Sequence, residues 1–153
     1  MTYPSPEDEK AMLSMLSERD NDSDIPSSSR TEPLSIEDIT FLRATSRRIH
    51  VSDSIMSYAV NLAWTTRGDG PNPIKGLSNK VRLGASPRAS IALIRTAQAS
   101  ALLSGRDYVI PEDVRRFTHD VMRHRLLLTF EALADGVTAD QIIDQIIEAV
   151  PVP

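Results

Sequence analysis

Apolar residues recur at helical spacing along most of this chain. Three stripes show the pattern most clearly: Ile36, Ile39, Leu42 and Ile49; Ile55, Ala59, Leu62 and Ala63; and Ile142, Ile143, Ile146, Ile147 and Val150. Residues three, four or seven positions apart lie on one face of an α-helix. Each stripe therefore predicts an amphipathic helix whose apolar face lies against a core.

The stretch from Pro87 to Ser104 differs from these stripes because it is apolar or small on almost every side. A helix with this composition is normally buried on all sides. Ser86 before Pro87 matches a helix N-cap followed by proline at the first helical position, and Gly105 suits the left-handed residue after the last turn. We therefore predict that this helix occupies the centre of a helical bundle.

Start and stop signals place the remaining helix boundaries. A first helix begins at Pro6 and ends near Arg19, and its apolar side is formed by Met12, Leu13, Met15 and Leu16. Later helices open at Ser35, at Ser52 or Asp53, at Pro111 and at Thr138. No alternating strand pattern is longer than a few residues. The predicted fold class is all-α, with five to six helices in one bundle.

Two stretches lack a helical period. Residues 19–33 are rich in Ser, Asp and Asn and predict an exposed loop, whereas residues 68–86 contain several Gly and Pro and predict an irregular segment. A chain of 153 residues is the size of one ordinary domain. We therefore predict a single helical domain over residues 1–153 that contains both stretches.

Composition and charge exclude several classes of protein. The absence of cysteine removes disulfides and thiolate metal sites. No apolar run approaches the roughly 18 residues of a membrane-spanning helix, and the acidic N-terminus does not resemble a signal peptide. The formal net charge of -4 argues against a general nucleic-acid binder. We expect a cytoplasmic protein with neither membrane nor nucleic acid among its partners.

Arg88 is the residue that the bundle pattern does not explain. It falls in the first turn of the predicted central helix, beside the positive end of the helix dipole. A cation is unfavourable there unless an anion satisfies both the guanidinium and the free backbone N–H groups. Phosphate is the obvious anion, because a planar guanidinium can hold two of its oxygens at once.

The motif around Arg88 resembles that of a known family. Residues 84–89, GASPRA, are similar to the sensor-2 motif of MoxR-type AAA+ ATPases. Further similar segments follow in the same order: Ala97-Gln98-Ala99, Gly105-Arg106-Asp107-Tyr108-Val109, Pro111-Glu112-Asp113-Val114 and Arg123-His124-Arg125-Leu126. The opening residues 3–7 resemble the point where that family's core gives way to its lid. The resemblance implies the small helical lid domain, cut away from its nucleotide-binding core.

This resemblance carries functional expectations. In that family the sensor-2 arginine reaches from the lid to the γ-phosphate of ATP, a role that Arg88 would take, with Gly84 and Ser86 as further nucleotide-binding residues. The implied cofactors of the full-length protein are ATP and Mg²⁺. The implied partners are its own core, neighbouring subunits of a hexameric ring, and client proteins such as von Willebrand factor A-type proteins. The implied function is chaperone-like maturation of client complexes, coupled to ATP hydrolysis.

The sequence departs from a complete ATPase in two ways. It contains no phosphate loop of the form G-x-x-x-x-G-K-[ST], and no strand ending in paired acids that would hold magnesium. We therefore expect the chain alone neither to bind nor to hydrolyse ATP. Ile110 also stands where a polar cap would precede Pro111, which weakens that helix start by about 1 kcal/mol.

Simpler interpretations remain beside the resemblance. From its helix position alone, Arg88 is consistent with a solvated surface arginine, and only the long resemblance favours the phosphate-binding interpretation; a glycine such as Gly84 before a helix more often serves a turn. The rival function is a free-standing helical protein- or DNA-binding module that uses the basic residues Arg115, Arg116, Arg123 and Arg125. The three histidines do not share metal-ligand spacing, so no metal site is expected.

Overall fold

The computed structural model describes residues 33–68 and 70–153, together with residues 5, 7, 8, 10, 11 and 14. The chain divides into two compact units, Met1–Ser35 and Ile36–Pro153. The predicted loop at 19–33 lies outside the described residues except for Pro33, as does the predicted apolar side of the first helix. No helix in the described ranges is long and apolar enough to cross a lipid bilayer.

The start of the first helix agrees with its predicted cap. The backbone N–H of Asp8 donates to Ser5 Oγ at 3.2 Å, and the Ser5 hydroxyl donates to Asp8 Oδ2 at 2.7 Å. The Ser5 hydroxyl and the Ser5 backbone N–H, which lies 3.2 Å from Asp8 Oδ2, both donate to the carboxylate and lower the pKa of Asp8, because they favour its ionised form. The described residues from Glu7 to Ser14 are helical. The predicted end of this helix lies outside the described residues.

The second unit is mostly helical, with one small sheet. Its α-helices are α1 (Ile36–Ser46), α2 (Asp53–Thr65), α3 (Leu77–Lys80), α4 (Pro87–Leu103), α5 (Pro111–Arg116), α6 (Thr118–Met122), α7 (Phe130–Ala134) and α8 (Ala139–Ala149). The strands β1 (Val81–Leu83) and β2 (Leu127–Leu128) pair antiparallel, and a 3-10 turn over Arg123–Arg125 precedes β2. The sheet and the number of helices depart from the predicted bundle of five to six helices.

The core lies against one side of α4, and the prediction that this helix is buried on all sides is wrong, since Ile91 and Leu103 are 60% and 84% exposed. Ala89, Leu93, Ala97 and Ala101 repeat every four residues along this helix and are fully buried. Three of the four side chains are a single methyl group, which lets neighbouring helices approach closely. Helices α2 and α5 pack against this row, and α8 contributes the fully buried Ile142, Ile143 and Ile146. The predicted apolar faces of α2 and α8 are therefore confirmed.

The predicted apolar face of α1 is wrong for its first two turns. Ile36 and Ile39 have 81% and 45% of their surface exposed, and Leu42 is half-buried. Only Ile49, which lies beyond the helix end, joins the core. Among the helices of the second unit, α1 packs mainly on α4, and the first turns of its apolar stripe remain exposed.

The irregular segment predicted at 68–86 contains regular structure in its second half. Helix α3 and strand β1 occupy residues 77–83, and β1 pairs with β2 through Val81 opposite Leu128 and Leu83 opposite Leu127. The Thr129 hydroxyl also donates to the carbonyl of Asn79 at 2.8 Å. Elements of two to four residues are too short to show periodicity, so no sequence pattern predicts them.

The predicted fifth helix is divided at Phe117 into α5 and α6. Its start is better capped than Ile110 predicts, because the Asp113 carboxylate accepts a hydrogen bond from the Ile110 N–H at 3.0 Å. The same carboxylate accepts two hydrogen bonds from Arg106, at 2.7 and 2.8 Å, and one from the Ser100 hydroxyl at 2.9 Å. This buried network joins the end of α4 to the start of α5.

Candidate functional site

Arg88 lies at an exposed position in the first turn of α4. Its guanidinium forms no hydrogen bond or ion pair within the described part of the chain. The first turn of α4 also contains no acidic residue that would neutralise the positive end of the helix dipole. The positive charge of Arg88 and that of the dipole are therefore both available to an external anion.

The loop before α4 is fixed by the end of α2. The hydroxyl of Thr66 accepts a hydrogen bond from the backbone N–H of Ala85 at 2.8 Å and donates to the carbonyl of Ala63 at 2.6 Å. Arg67 Nε donates to the carbonyl of Ala85 at 2.9 Å. Because both backbone groups of Ala85 are paired, α4 starts at a fixed place relative to the end of α2.

Gly84 packs directly against the backbone of Thr66. A Cβ atom at this position would lie 2.6 Å from the Thr66 carbonyl oxygen and 2.8 Å from its carbon. Gly84 is not among the glycines with positive φ, so a left-handed turn is not what this position requires. Glycine is therefore required at this position because a side chain would collide with the backbone of Thr66. Neither the turn interpretation nor the nucleotide-binding interpretation of Gly84 stated this reason.

Ser86 is the N-cap residue of α4, as predicted, with extended φ and ψ of -76° and 169°. Its side chain makes no capping hydrogen bond, and only its carbonyl takes part in the first turn, by accepting from Ala89 N–H at 2.8 Å. The exposed hydroxyl is therefore not committed to the helix start. Gly84, Ser86 and Arg88 lie together on one short segment that leads from β1 into α4.

Thr66 and Arg67 are the parts of this site that sequence reasoning missed. They precede Ala85 by 19 and 18 residues, so no local spacing relates them to the motif around Arg88. Arg67 also lies over the Trp64 ring, 5.9 Å from its centroid, which holds its side chain along the end of α2. A Thr-Thr-Arg sequence after an apolar helix carries no signal of its own for such a contact.

The contact between Thr66 and Ala85 yields a stability prediction. Thr66→Val keeps the shape of this fully buried side chain but leaves the Ala85 N–H without its acceptor. We expect the free energy of unfolding to fall by about 1–3 kcal/mol, the cost of an unsatisfied buried donor. Chemical denaturation measures this change. Thr66→Ser, which keeps the hydroxyl, is the control, and an equal loss in both variants would contradict the hydrogen-bond explanation.

The basic surface predicted on the fifth helix is formed by four arginines, and two of them bond to other groups of the protein. Arg123 Nε donates to Asp140 at 2.7 Å and its guanidinium also lies 3.8 Å from Asp120, while Arg125 donates to the carbonyl of Val121. Of these four arginines, Arg115 and Arg116 are exposed and form no ion pair within the described residues. These contacts engage two of the four arginines on which the DNA-binding alternative depends.

The histidines show no arrangement that would hold a metal ion. His119 Nε2 lies 2.9 Å from Asp144 Oδ1, a contact that joins α6 to α8. Among the described residues, no group of three or more His, Cys, Asp or Glu side chains is placed to coordinate a metal ion.

Comparison with known proteins gives consistent matches. The family model described as "AAA lid domain" matches residues 77–146. Chaperone MoxR1 of Mycobacterium tuberculosis is 34% identical over 151 residues, which cover 99% of this chain and 38% of that protein. The uncharacterised protein YeaC of Bacillus subtilis is 38% identical over 153 residues, covering 100% and 43% respectively. The chain thus spans about two fifths of the length of these curated relatives.

A crystal structure also matches the chain over its whole length. It is that of a Cytophaga hutchinsonii protein assigned as an ATPase, with a TM-score of 0.78 and 29% sequence identity. The match covers 100% of this chain and 45% of the other protein.

Proposed function

Because the chain belongs to the MoxR-type AAA+ ATPase family and corresponds to its lid domain, as the resemblance around Arg88 predicts, we propose that it is the nucleotide-sensing lid of such an ATPase. In this proposal the lid couples the presence of the terminal phosphate of ATP, bound by the AAA+ core, to movement of the lid. The work on client proteins would be done by the whole assembly.

The free guanidinium of Arg88 is the observation that carries this proposal. Other exposed arginines, such as Arg116, also form no hydrogen bond or ion pair in the described residues, so an unpaired guanidinium alone does not identify a site. Arg88 differs because it also stands in the first turn of α4, beside helix N–H groups that no acidic side chain neutralises. Both features suit a terminal phosphate, which needs a planar donor pair and a positive local potential.

The rigid attachment of the segment before α4 supports a sensing role. In the full-length ATPase, ATP held by the core would supply the phosphoryl group, and Mg²⁺ would neutralise part of its charge. Arg88 would add charge stabilisation at the terminal phosphate, and loss of that phosphate on hydrolysis would remove the contact. Since Thr66 and Arg67 fix the loop before α4, a contact at Arg88 would bias the position of the whole lid rather than of one side chain.

Ring assembly, client binding and the other nucleotide contacts are further parts of this proposal. Ser86 and Gly84 are placed beside Arg88 on the same segment, and the uncommitted Ser86 hydroxyl is available as a phosphate ligand. Assembly with neighbouring subunits and action on client proteins, including von Willebrand factor A-type proteins, follow from the family resemblance. The name of the Mycobacterium tuberculosis relative, Chaperone MoxR1, is consistent with such a role.

A substitution at Arg88 tests the proposal. In a protein that joins this chain to its AAA+ core, we expect Arg88→Ala to lower ATP turnover at least about tenfold, because the interaction acts on charge that develops during phosphoryl transfer. Arg88→Lys should recover only part of the loss, since an ammonium cannot hold two oxygens in one plane. Steady-state phosphate release measures both effects.

Arg116→Ala is the matched control, since Arg116 is an exposed arginine on α5 outside this site. Its turnover should equal that of the unaltered protein. The thermal unfolding midpoint of Arg88→Ala should also be unchanged, because the side chain is exposed and makes no contact that stabilises the fold. Unaltered turnover in a folded Arg88→Ala protein would refute the proposed role.

A further inference from the structure

A groove of about 650 Å³ lies between α2, α4 and the segment that follows α1. Its floor includes Met56 and Val60 from α2 and Ile91 and Ile94 from α4. Met56 and Val60 are each 42% exposed and Ile91 is 60% exposed, so these side chains are far from the buried state usual for their type. The groove is thus an apolar surface that the described residues leave open.

The apolar residues of the floor form two short ridges. Met56 and Val60 are four residues apart on α2, and Ile91 and Ile94 are three residues apart on α4. Residues at these spacings lie above one another on a helix. Two helices that each present such a ridge create a trough of the kind into which a third amphipathic helix packs.

The charged residues that line the groove are all basic. Arg47 and Arg48 lie at the end of α1, Arg95 lies on α4, and no Asp or Glu contributes to the lining. None of the three arginines forms an ion pair within the described part of the chain. The chain as a whole carries 21 acidic and 17 basic residues, so a rim without any acid departs from its average composition. This separation of charge indicates a negatively charged occupant.

From the open apolar floor and the basic rim together, we propose that this groove binds an acidic amphipathic helix of a partner protein. Apolar side chains of that helix would pack on Met56, Val60 and Ile91, and carboxylates on its flanks would pair with Arg47 and Arg95. The floor distinguishes this occupant from a nucleic acid, whose backbone offers no apolar stripe. The proposed role of Arg88 is not required for this interaction.

A binding experiment with designed peptides tests the proposal on the whole chain of 153 residues. The probe is a fluorescently labelled helical peptide of about five turns (~18 residues), with leucine at i, i+3, i+4 and i+7 and glutamate on both flanks. A second peptide has the same leucines but lysine in place of every glutamate. We expect saturable binding, read by fluorescence anisotropy, of the glutamate peptide only.

Variants of the groove test the basic rim and the apolar floor separately. Arg95→Glu should weaken the glutamate peptide at least about tenfold, because it replaces one of the three cations of the rim by a carboxylate that repels the glutamates of the peptide. Ile91→Asp should also weaken the glutamate peptide, because it removes part of the apolar floor. Both residues are exposed, so the circular dichroism spectrum and the thermal midpoint should not change.

Arg116→Glu is the control for a charge reversal elsewhere on the surface, and it should leave the affinity unchanged. Three results would overturn the proposal: no saturable binding of the glutamate peptide, equal affinity for the two peptides, or an Arg95→Glu variant that binds the glutamate peptide as well as the unaltered chain does.

Discussion

Replacing Asp113 by alanine is expected to lower the free energy of unfolding by about 3 kcal/mol. The carboxylate is 4% exposed and accepts hydrogen bonds from Arg106, from the Ser100 hydroxyl and from the Ile110 N–H. Its removal leaves the Arg106 guanidinium without its counter-ion, and removing one partner of a buried pair costs about 3–5 kcal/mol. The lower end of this range applies, because the Arg106 side chain is 23% exposed and regains some hydration.

Asp113→Asn is the matched control for this loss. The amide oxygen can still accept from Ile110 N–H, so the start of α5 keeps its cap while the charge is lost. We expect a smaller reduction than for alanine, measured by urea denaturation at neutral pH. Equal stability of the alanine variant and the unaltered chain would show that the network does not contribute to folding.

The same network predicts a dependence on pH. Burial raises the pKa of Asp113, but the hydrogen bonds from Arg106, Ile110 and Ser100 outweigh it, and the net pKa lies below the usual value. A group whose pKa is lowered on folding stabilises the protein fully above its unfolded pKa of about 3.9, and this stabilisation is lost as the pH falls below that value. The difference in stability between the unaltered chain and Asp113→Asn should therefore be constant near neutrality and shrink in acid.

Gly84→Ala is the second substitution with a large expected effect. The added methyl group would lie 2.6 Å from the Thr66 carbonyl oxygen, a backbone atom that cannot rotate away. Either β1 or the end of α2 must shift, and overpacking of this kind costs about 1–3 kcal/mol. The shift would also move the segment that carries Arg88, so the proposed ATPase activity of a core-bearing protein should fall together with stability.

Gly105→Ala is the control that separates the steric clash of an added methyl group from the strain of a left-handed backbone. Gly105 has a φ of 70° after the end of α4, and an added Cβ there meets no atom within 4 Å. Its substitution should cost about 1 kcal/mol through backbone strain alone and leave ATP turnover unchanged. If Gly84→Ala proved no more destabilising than Gly105→Ala and left turnover intact, the packing explanation for Gly84 would be wrong.

The sequence predicted those parts of the fold whose signals are local and redundant. Helix α4 begins at Pro87 and is followed by a left-handed Gly105, as expected from its cap and stop residues. Helix α8 has the predicted capping box, in which Thr138 Oγ accepts from Gln141 N–H at 3.2 Å and Gln141 Oε1 accepts from Thr138 N–H at 2.9 Å. In α8 the apolar face, the cap and the terminator all agree, whereas in α4 the proline and the glycine agree but the Ser86 side chain makes no capping hydrogen bond.

Prediction failed where tertiary contacts decide the outcome. The spacing of Ile36 and Ile39 on α1 is correct for a buried face, yet no element of the second unit covers that face. Periodicity shows which residues share a side of a helix but not whether a neighbour packs there. At Ile110 the error was the opposite one, because the missing polar cap predicted a weak helix start. The Asp113 carboxylate, from within the helix, accepts the hydrogen bond of the Ile110 N–H instead.

The same difference between local signals and tertiary contacts applies to the residues of the candidate site. Arg88 could be found because its motif is contiguous and because a cation at a helix N-terminus is physically unusual. Thr66 and Arg67 could not, since their contacts with Ala85 join the end of one helix to the start of another across residues that have no shared pattern. The residue proposed to bind phosphate was thus predictable, whereas the residues that hold it in place were not.

The pairing of β1 with β2 has a consequence for the order of folding. Helices α4, α5 and α6 lie between these strands in the sequence, so the hydrogen bonds between the strands close a long loop. Closing this loop costs chain entropy, and that cost is offset only once the three helices have packed. The residues between β1 and α4 are therefore expected to reach their final positions late. A chain arrested before that step would have most of its helix content but no properly placed guanidinium at residue 88.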